Sequence, residues 1–399
     1  MKIFVHDYAG HPFQVQLSRE LARRGHDVLH ISAPFFQTPK GALQVTPDDP
    51  PTLAIEPLDI GEPFRKHTFL PRIRQEIRYG HLSAARMRAF APDAVLSSNV
   101  PLDPQNIFHR ACVESGAGFT FWLQDIYSVA IDRILRRKFP GLGHAVGARY
   151  LALERRLLRQ SDAVVAITED FLPVLRDWKV DPAKTHVIEN WAPIDELPAL
   201  PPDTAWRAEH GLSDRRLVLY SGTLGMKHNP ALLLELALKF RDDPALRVVV
   251  ISEGPGADWL AAQARAHGLE NLVLLPFQPF DRFPEVLASA DILVAILEPD
   301  AGVFSVPSKV LSYLCAGRPI LAAMPVENLA ARILTREDAG RVAAPHDLAG
   351  FVDNARKLLA SDRLRSDLGR NARAYAEDRF RISDIGARFE GIVSATTKN

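Results

Sequence analysis

A chain of 399 residues exceeds what one hydrophobic core ordinarily serves, so two domains are expected. Hydrophobic residues make up 47% and charged residues 24%, which excludes a disordered or fibrous chain. Lys plus Arg equals Asp plus Glu at 48 each, which argues against nucleic acid as the main partner, because phosphate-backbone binding draws on surplus positive charge.

Along the chain, short apolar β-rich runs alternate with longer helical patterns, the pattern of βαβ units around a parallel sheet and hence of the α/β class. Strands are predicted at 2–5, 28–32, 52–55, 94–97, 119–123, 163–167 and 186–188, with a helix over 13–24 whose apolar Val15, Leu17, Leu21 and Ala22 recur at helical spacing. Four prolines between 191 and 203 can neither donate ladder hydrogen bonds nor continue a helix, so this stretch reads as the linker. Beyond it, strands are predicted at 217–220, 247–251, 272–275, 292–296, 319–322 and 340–343. The expected organisation is a Rossmann-like domain over 1–190, the linker 191–203, a second Rossmann-like domain over 204–375, and a C-terminal helix over 376–399 returning to the first domain.

Cys112 and Cys315 are the two cysteines, far apart and without metal-ligand spacing, so neither a disulfide framework nor a zinc site is expected. The opening residues run into a strand without the apolar stretch of a signal peptide, and no apolar run approaches the roughly 20 residues of a membrane span. The expected location is the cytoplasm, with any membrane contact peripheral and at the inner face of the cell membrane. Two basic stretches bear on that contact. Arg65, Lys66, Arg72, Arg74, Arg78, Arg86 and Arg88 have only Glu76 as a nearby acid, and a second run extends from Arg133 to Arg159. They read either as solvated helix faces or as a surface for anionic lipid.

Two segments carry chemistry. Ser221-Gly-Thr-Leu-Gly-Met-Lys-His-Asn229 follows a strand and precedes a helix. Gly222 and Gly225 would let the backbone approach an anion and Lys227 would add a charge, although the spacing is neither a Walker A loop nor G-x-G-x-x-G, and an ordinary strand-to-helix turn reads the same way. The second segment runs from Glu298 through Val306-Pro-Ser-Lys309 to Pro319. There Pro307 suits the first helical turn, Ser305 or Ser308 can cap it, and Lys309 projects from that turn. A lysine beside a helix N-terminus is electrostatically unfavourable unless an anion sits there, so phosphate is the expected ligand, with a structural cause as the alternative.

Taken with Asp7-Tyr-Ala-Gly10, Phe121-Trp-Leu-Gln-Asp-Ile-Tyr127 and Asn190-Trp-Ala-Pro193, these segments resemble the retaining glycosyltransferases of family 4, in the branch that builds colanic acid, O-antigen and other bacterial surface polysaccharides. The resemblance covers nearly the whole chain. It implies the GT-B fold of two facing Rossmann-like domains, a nucleotide-diphosphate sugar as donor with no cofactor, and a glycan acceptor, polyprenyl-diphosphate-linked or other; no Asp-x-Asp sequence occurs, so no metal is expected. It implies Lys227 on the donor diphosphate, Gly10 where the diphosphate approaches the first loop, and Asp125 facing the donor sugar. Three departures from the family pattern stand out: Thr223 replaces an arginine, Phe304 and Ser312 replace a pair of glutamates with seven residues between them, and Gln124 replaces a histidine. Lys309 is the expected compensating cation. The catalytic set is then Asp125, Lys227 and Lys309, and the donor-binding set Gly10, Gly222, Thr223, Gly225, Lys227, Gly302, Ser305, Ser308, Lys309 and Ser312. The alternative reading of Asp125 is the cap of the following helix. The rivals to a transferase are a sugar-nucleotide epimerase of the same fold and a non-catalytic sugar-nucleotide-binding subunit.

Overall fold

In the computed structural model, all residues are described except 36–41, 66–67, 140, 226–227, 298, 300–306 and 399, and the side chain of residue 69. Lys227, Gly302, Phe304 and Ser305 therefore lie outside the described residues.

The chain divides into two units, 1–190 with 382–399, and 191–381. The first contains β1 (Lys2–Asp7), α1 (Pro12–Arg23), β2 (Asp27–Ser32), β3 (Leu53–Pro57), α2 (Phe69–Phe90), β4 (Ala94–Ser98), α3 (Leu102–Glu114), β5 (Gly118–Leu123), α4 (Tyr127–Lys138), α5 (Leu142–Gln160), β6 (Ala163–Ala166), α6 (Leu172–Asp177) and β7 (Thr185–Val187). The second contains α7 (Ala205–Glu209), β8 (Arg216–Ser221), α8 (Ala231–Lys239), β9 (Leu246–Ile251), α9 (Pro255–His267), β10 (Leu272–Leu275), α10 (Phe283–Ala288), β11 (Ile292–Ile296), α11 (Ser308–Ala316), β12 (Ile320–Ala323), α12 (Leu329–Arg336), β13 (Gly340–Ala343), α13 (Leu348–Leu359) and α14 (Asp362–Arg379). A last helix, α15 (Ile382–Ala395), belongs to the first unit.

Both sheets are parallel throughout. The first has the order β3-β2-β1-β4-β5-β6-β7 and the second β10-β9-β8-β11-β12-β13. Each order reverses once, between β1 and β4 and between β8 and β11, and such a reversal leaves a crevice outside the carboxyl ends of the strands. Strands such as Ala94–Ser98 and Ile292–Ile296 are buried at every position, because helices cover both faces of a parallel sheet.

The end of the chain differs from the expected boundary at 376. Helix α14 runs on to Arg379 within the second unit, and the first unit takes up the chain at Ile382. Helix α15 packs on α1 and β5: Arg24 Nε donates to Glu390 Oε2 at 2.7 Å, and the Phe389 ring lies 4.7 Å from that of Trp122. The proline-rich stretch after Asn190 is not free chain either. Trp191 is 2% exposed and Leu197 6%. Its carbonyls, which the prolines keep from a ladder, are taken by arginines: Arg373 Nη1 donates to Leu197 O at 2.9 Å and Arg318 Nη2 to Leu200 O at 2.9 Å.

Candidate active site

In the second unit, the crevice between β8 and β11 is bordered by the turn after β8 and by the start of α11. Lys309 is the second residue of α11. Its ammonium lies 3.5 Å from the centroid of the Tyr220 ring, and a Cβ built on Gly222 would stand 3.1 Å from both its Cε and its Nζ. Gly222 has φ +130°, a conformation other residues seldom adopt, so the bare backbone here makes room for the lysine. Among the described residues, no carboxylate and no hydrogen-bond acceptor is paired with Lys309. Burial of the ammonium pulls its proton affinity down to about 7. A cation on a ring face at a helix N-terminus, with no carboxylate beside it among the described residues, is an arrangement that an anion would complete.

Tyr220 and Tyr313, which sequence reasoning did not single out, build this corner. Tyr220 Oη donates to Thr223 O at 2.8 Å. Tyr313 Oη donates to Ser221 O and accepts from Ser221 N, both at 3.2 Å, tying α11 to the end of β8. The signal was present: Tyr313 stands one helical turn after Lys309, on the same face.

The remaining expected donor contacts fare differently. Pro307, expected in the first turn, is the N-cap of α11, and among the described residues no side chain caps the helix. Ser308 opens the helix, exposed, rather than capping it. Gly222 N donates to Ile251 O at 3.0 Å and Gly225 N to His228 Nδ1 at 2.9 Å, so these amides are committed within the protein. Thr223 is exposed and contributes its carbonyl to Tyr220, and Ser312 is partly buried on α11.

In the first unit, the crevice between β1 and β4 is closed by a polar network. Asp7 Oδ1 accepts from the backbone N–H groups of Ala9 at 3.0 Å and Gly10 at 2.9 Å, folding the loop back on the strand end. With its amide nitrogen toward Asp7, Gln14 donates at 2.6 and 3.0 Å and its oxygen accepts from Asn99 Nδ2 at 2.8 Å. Gly10 has φ +76°, and its N–H is already given to Asp7, so an approaching group would meet bare backbone there rather than a free donor. His6 is a core residue, 3.1 Å from Tyr79 Oη and 3.2 Å from Ser97 Oγ, and His30 lies 2.8 Å from Ser18 Oγ. Burial first, then coupling to His30 for His6 and the charge of Arg19 for His30, drives both imidazoles down to about 3, so they are neutral at pH 7.

Asp125 lies between β5 and α4, partly exposed, with no hydrogen bond among the described residues. It is not the cap of α4: the N-cap is Ile126, and the first N–H groups go elsewhere. Burial, then the charge of Glu154, pushes its carboxyl up to about 7. Beside it Gln124 is locked in a reciprocal amide pair with Asn190, at 3.2 and 2.6 Å.

The basic stretches are sorted by folding. In α2, Arg72 pairs with Glu76 at 2.7 Å, Arg86 with Glu56 at 2.7 Å, Arg88 with Glu114 at 2.7 Å and Arg78 with Glu62 at 3.4 Å. Three of those acids are distant in sequence, which corrects the expectation of a lone Glu76. At the end of α4, Arg136 pairs with Asp132 at 2.7 Å, while Arg137 and Lys138 stand beside the exposed Ile134, Phe139 and Leu142. Among the described residues no helix is long and apolar enough to cross a membrane.

Comparison with known proteins follows the same division. Residues 11–191 match the family described as Glycosyl transferase 4-like domain, and residues 202–375 the family described as Glycosyl transferases group 1. WcaI of Escherichia coli K12, by provisional assignment a colanic acid biosynthesis glycosyl transferase, is 25% identical over 74% of this chain and 75% of its own length. Among solved structures, Alr3699/HepE of Anabaena in complex with UDP is similar over 99% of this chain and 100% of that one, at TM-score 0.70 and 17% identity. WaaG, a glycosyltransferase involved in lipopolysaccharide biosynthesis, is similar over 98% of this chain and 99% of that one, at TM-score 0.67 and 18% identity.

Proposed function

Because the chain is a glycosyltransferase of the GT-B fold, we propose that it moves a sugar, with retention at the anomeric carbon, from a nucleoside-diphosphate donor on the second unit to a glycan acceptor on the first. The observation that carries the donor assignment is the Lys309 ammonium at the strand-order reversal of the second sheet, stacked on Tyr220 and without a carboxylate among the described residues. Alr3699/HepE has been captured with UDP and with UDP-glucose, which favours a uridine diphosphate sugar.

The chemistry follows from where charge develops. Breaking the glycosyl-to-diphosphate bond leaves a dianion, and preoriented cations and helix N-terminal N–H groups stabilise charge that grows in the transition state. Lys309 and Lys227 take that role. The acceptor hydroxyl attacks on the face the leaving group departs from, and the departing phosphate accepts its proton. Asp125 faces the donor sugar and orients it. The acceptor is a polyprenyl-diphosphate-linked oligosaccharide of surface polysaccharide synthesis, a reading supported by the WcaI likeness and by the basic, apolar end of α4.

A thermal-shift panel of UDP, GDP, ADP and their glucose conjugates tests this. A ligand that binds only the folded state at 100 times its Kd adds about 2.7 kcal/mol of apparent stability. The expected result is stabilisation by one nucleoside diphosphate and its sugar. No shift with any of them rejects the donor site, and appearance of an epimerised sugar from the sugar nucleotide without acceptor replaces the transferase by the epimerase.

A further inference from the structure

A second carboxylate stands behind Asp125. Glu154, on α5, is wholly buried, a costly place for a carboxylate unless its oxygens are satisfied. Its two oxygens accept the backbone N–H groups of Tyr127 at 3.2 Å and Ser128 at 2.9 Å. Those groups open α4, whose N-cap Ile126 has no side-chain acceptor and is itself packed in the core. A residue from another helix thus does what a local Asp or Ser does at most helix starts.

The consequence is positional. Strand β5 ends at Leu123 and α4 begins at Tyr127, so Asp125 occupies a three-residue connection, 124–126. On one side Gln124 is held by Asn190, and on the other Tyr127 and Ser128 are held by Glu154. A local cap at 126 would have taken the helix start without reaching this turn from outside.

We propose that Glu154 is a positioning residue for Asp125, holding through the amino end of α4 the turn from which Asp125 meets the donor sugar; this rests on the reading of Asp125 given above. The two carboxyls also share a field. Burial raises Glu154 to about 7, against the pull of the Ser128 and Tyr127 hydrogen bonds, and burial followed by the Glu154 charge raises Asp125 to about 7. The other titratable groups facing this corner are Tyr127 on α4 and Tyr8 and Asp7 at the end of β1. The Glu154 charge thus favours the protonated form of Asp125 and biases which state Asp125 presents.

The test uses the full chain with carboxyl-13C-labelled aspartate, in which the Asp125 signal is identified by its loss in Asp125→Asn. In Glu154→Gln, which keeps the size and removes the charge, the Asp125 titration should move toward the ordinary aspartate range. UDP release from UDP-glucose should fall roughly 10- to 100-fold in kcat with KM little changed, as expected when a reacting geometry is displaced without loss of a contact. Glu154→Asp keeps the charge but withdraws the acceptor by one methylene, so kcat should fall while the titration stays, and it carries the test if the Gln variant does not fold. An unmoved Asp125 titration in Glu154→Gln overturns the proposal. So does a Glu154→Gln loss that multiplies undiminished onto Asp125→Asn, since Glu154 would then not act through Asp125. If Asp125→Asn turns over normally while the carboxyls remain coupled, the role of Asp125 itself is wrong, and the positioning role falls with it.

Discussion

Lys309 and Tyr220 face each other across the reversal of the second sheet, the ammonium 3.5 Å from the ring centroid, with no carboxylate among the described residues to neutralise it. A cation stacked on a tyrosine and pulled down to about 7 by burial is poised to gain charge when an anion arrives.

Lys309→Ala should therefore weaken UDP binding by about 1.5–3 kcal/mol, roughly 10- to 150-fold. The wild-type protein should also bind less tightly as pH rises from 7 to 9, because binding then requires uptake of a proton that the free lysine has lost. Lys309→Arg, always charged, should show no such slope. Calorimetry in buffers of differing ionisation enthalpy measures both, and an unaltered UDP affinity in Lys309→Ala rejects the phosphate role.

Gly222→Ala places a Cβ at φ +130°, 3.1 Å from Lys309 Cε and Nζ. Strain of this kind costs on the order of 1–3 kcal/mol, and it displaces the lysine as well. Stability and UDP affinity should fall together. Gly211→Ala is the control: φ is +65° with nothing within 4 Å of the added carbon, so it should lose stability and keep UDP. Equal affinities in the two variants would mean that the Gly222 slot does not seat Lys309.

The pH dependence of stability has two opposing parts. His6 and His30 are held near 3 in the folded chain, so the unfolded chain binds protons first and stability is lost as pH falls from about 6.5 toward 3. Asp125 and Glu154 are held near 7, so the folded chain binds protons first and stability is lost as pH rises from about 4 through 7. The Tm of Glu154→Gln relative to wild type should accordingly improve from pH 4 to pH 8, and that of His30→Gln should improve in the opposite direction. Scanning calorimetry at both pH values decides, and parallel curves for Glu154→Gln and wild type would show that its carboxyl titrates normally.

At the membrane, the end of α4 and not α2 should carry the contact. Each Lys or Arg near an anionic surface contributes about 1 kcal/mol, screened over a Debye length of roughly 8–10 Å. Phe139 is 57% exposed and Leu142 73%, available for shallow insertion. Sedimentation with phosphatidylglycerol vesicles should be strong at low salt, weak at high salt, and lost in the combined variant Arg137→Glu, Lys138→Glu, Phe139→Ser. Replacing Arg86, already paired with Glu56, should change nothing. Negligible binding to anionic vesicles at low salt removes the membrane contact.

The strands were legible in the sequence because a parallel sheet buried on both faces writes itself as continuous apolar runs between turn residues, and each of the runs from Lys2–Asp7 to Gly340–Ala343 stood near its predicted place. The unusual placing of Lys309 and Asp125 was also legible, since each stands beside a helix start, where a lysine opposes the helix dipole and an aspartate reads as a cap or as a site carboxylate. What surrounds them was not. Glu154 reaches Tyr127 and Ser128 from 27 and 26 residues away, Tyr313 reaches Ser221 from 92, and Glu56 and Glu114 cancel arginines that look unpaired along the chain. Periodicity records which face of an element is buried, but not which side chain from another element meets it there. Burial and those meetings set the charge states of Lys309, Asp125 and Glu154, so the chemistry of the site was decided only when the chain folded.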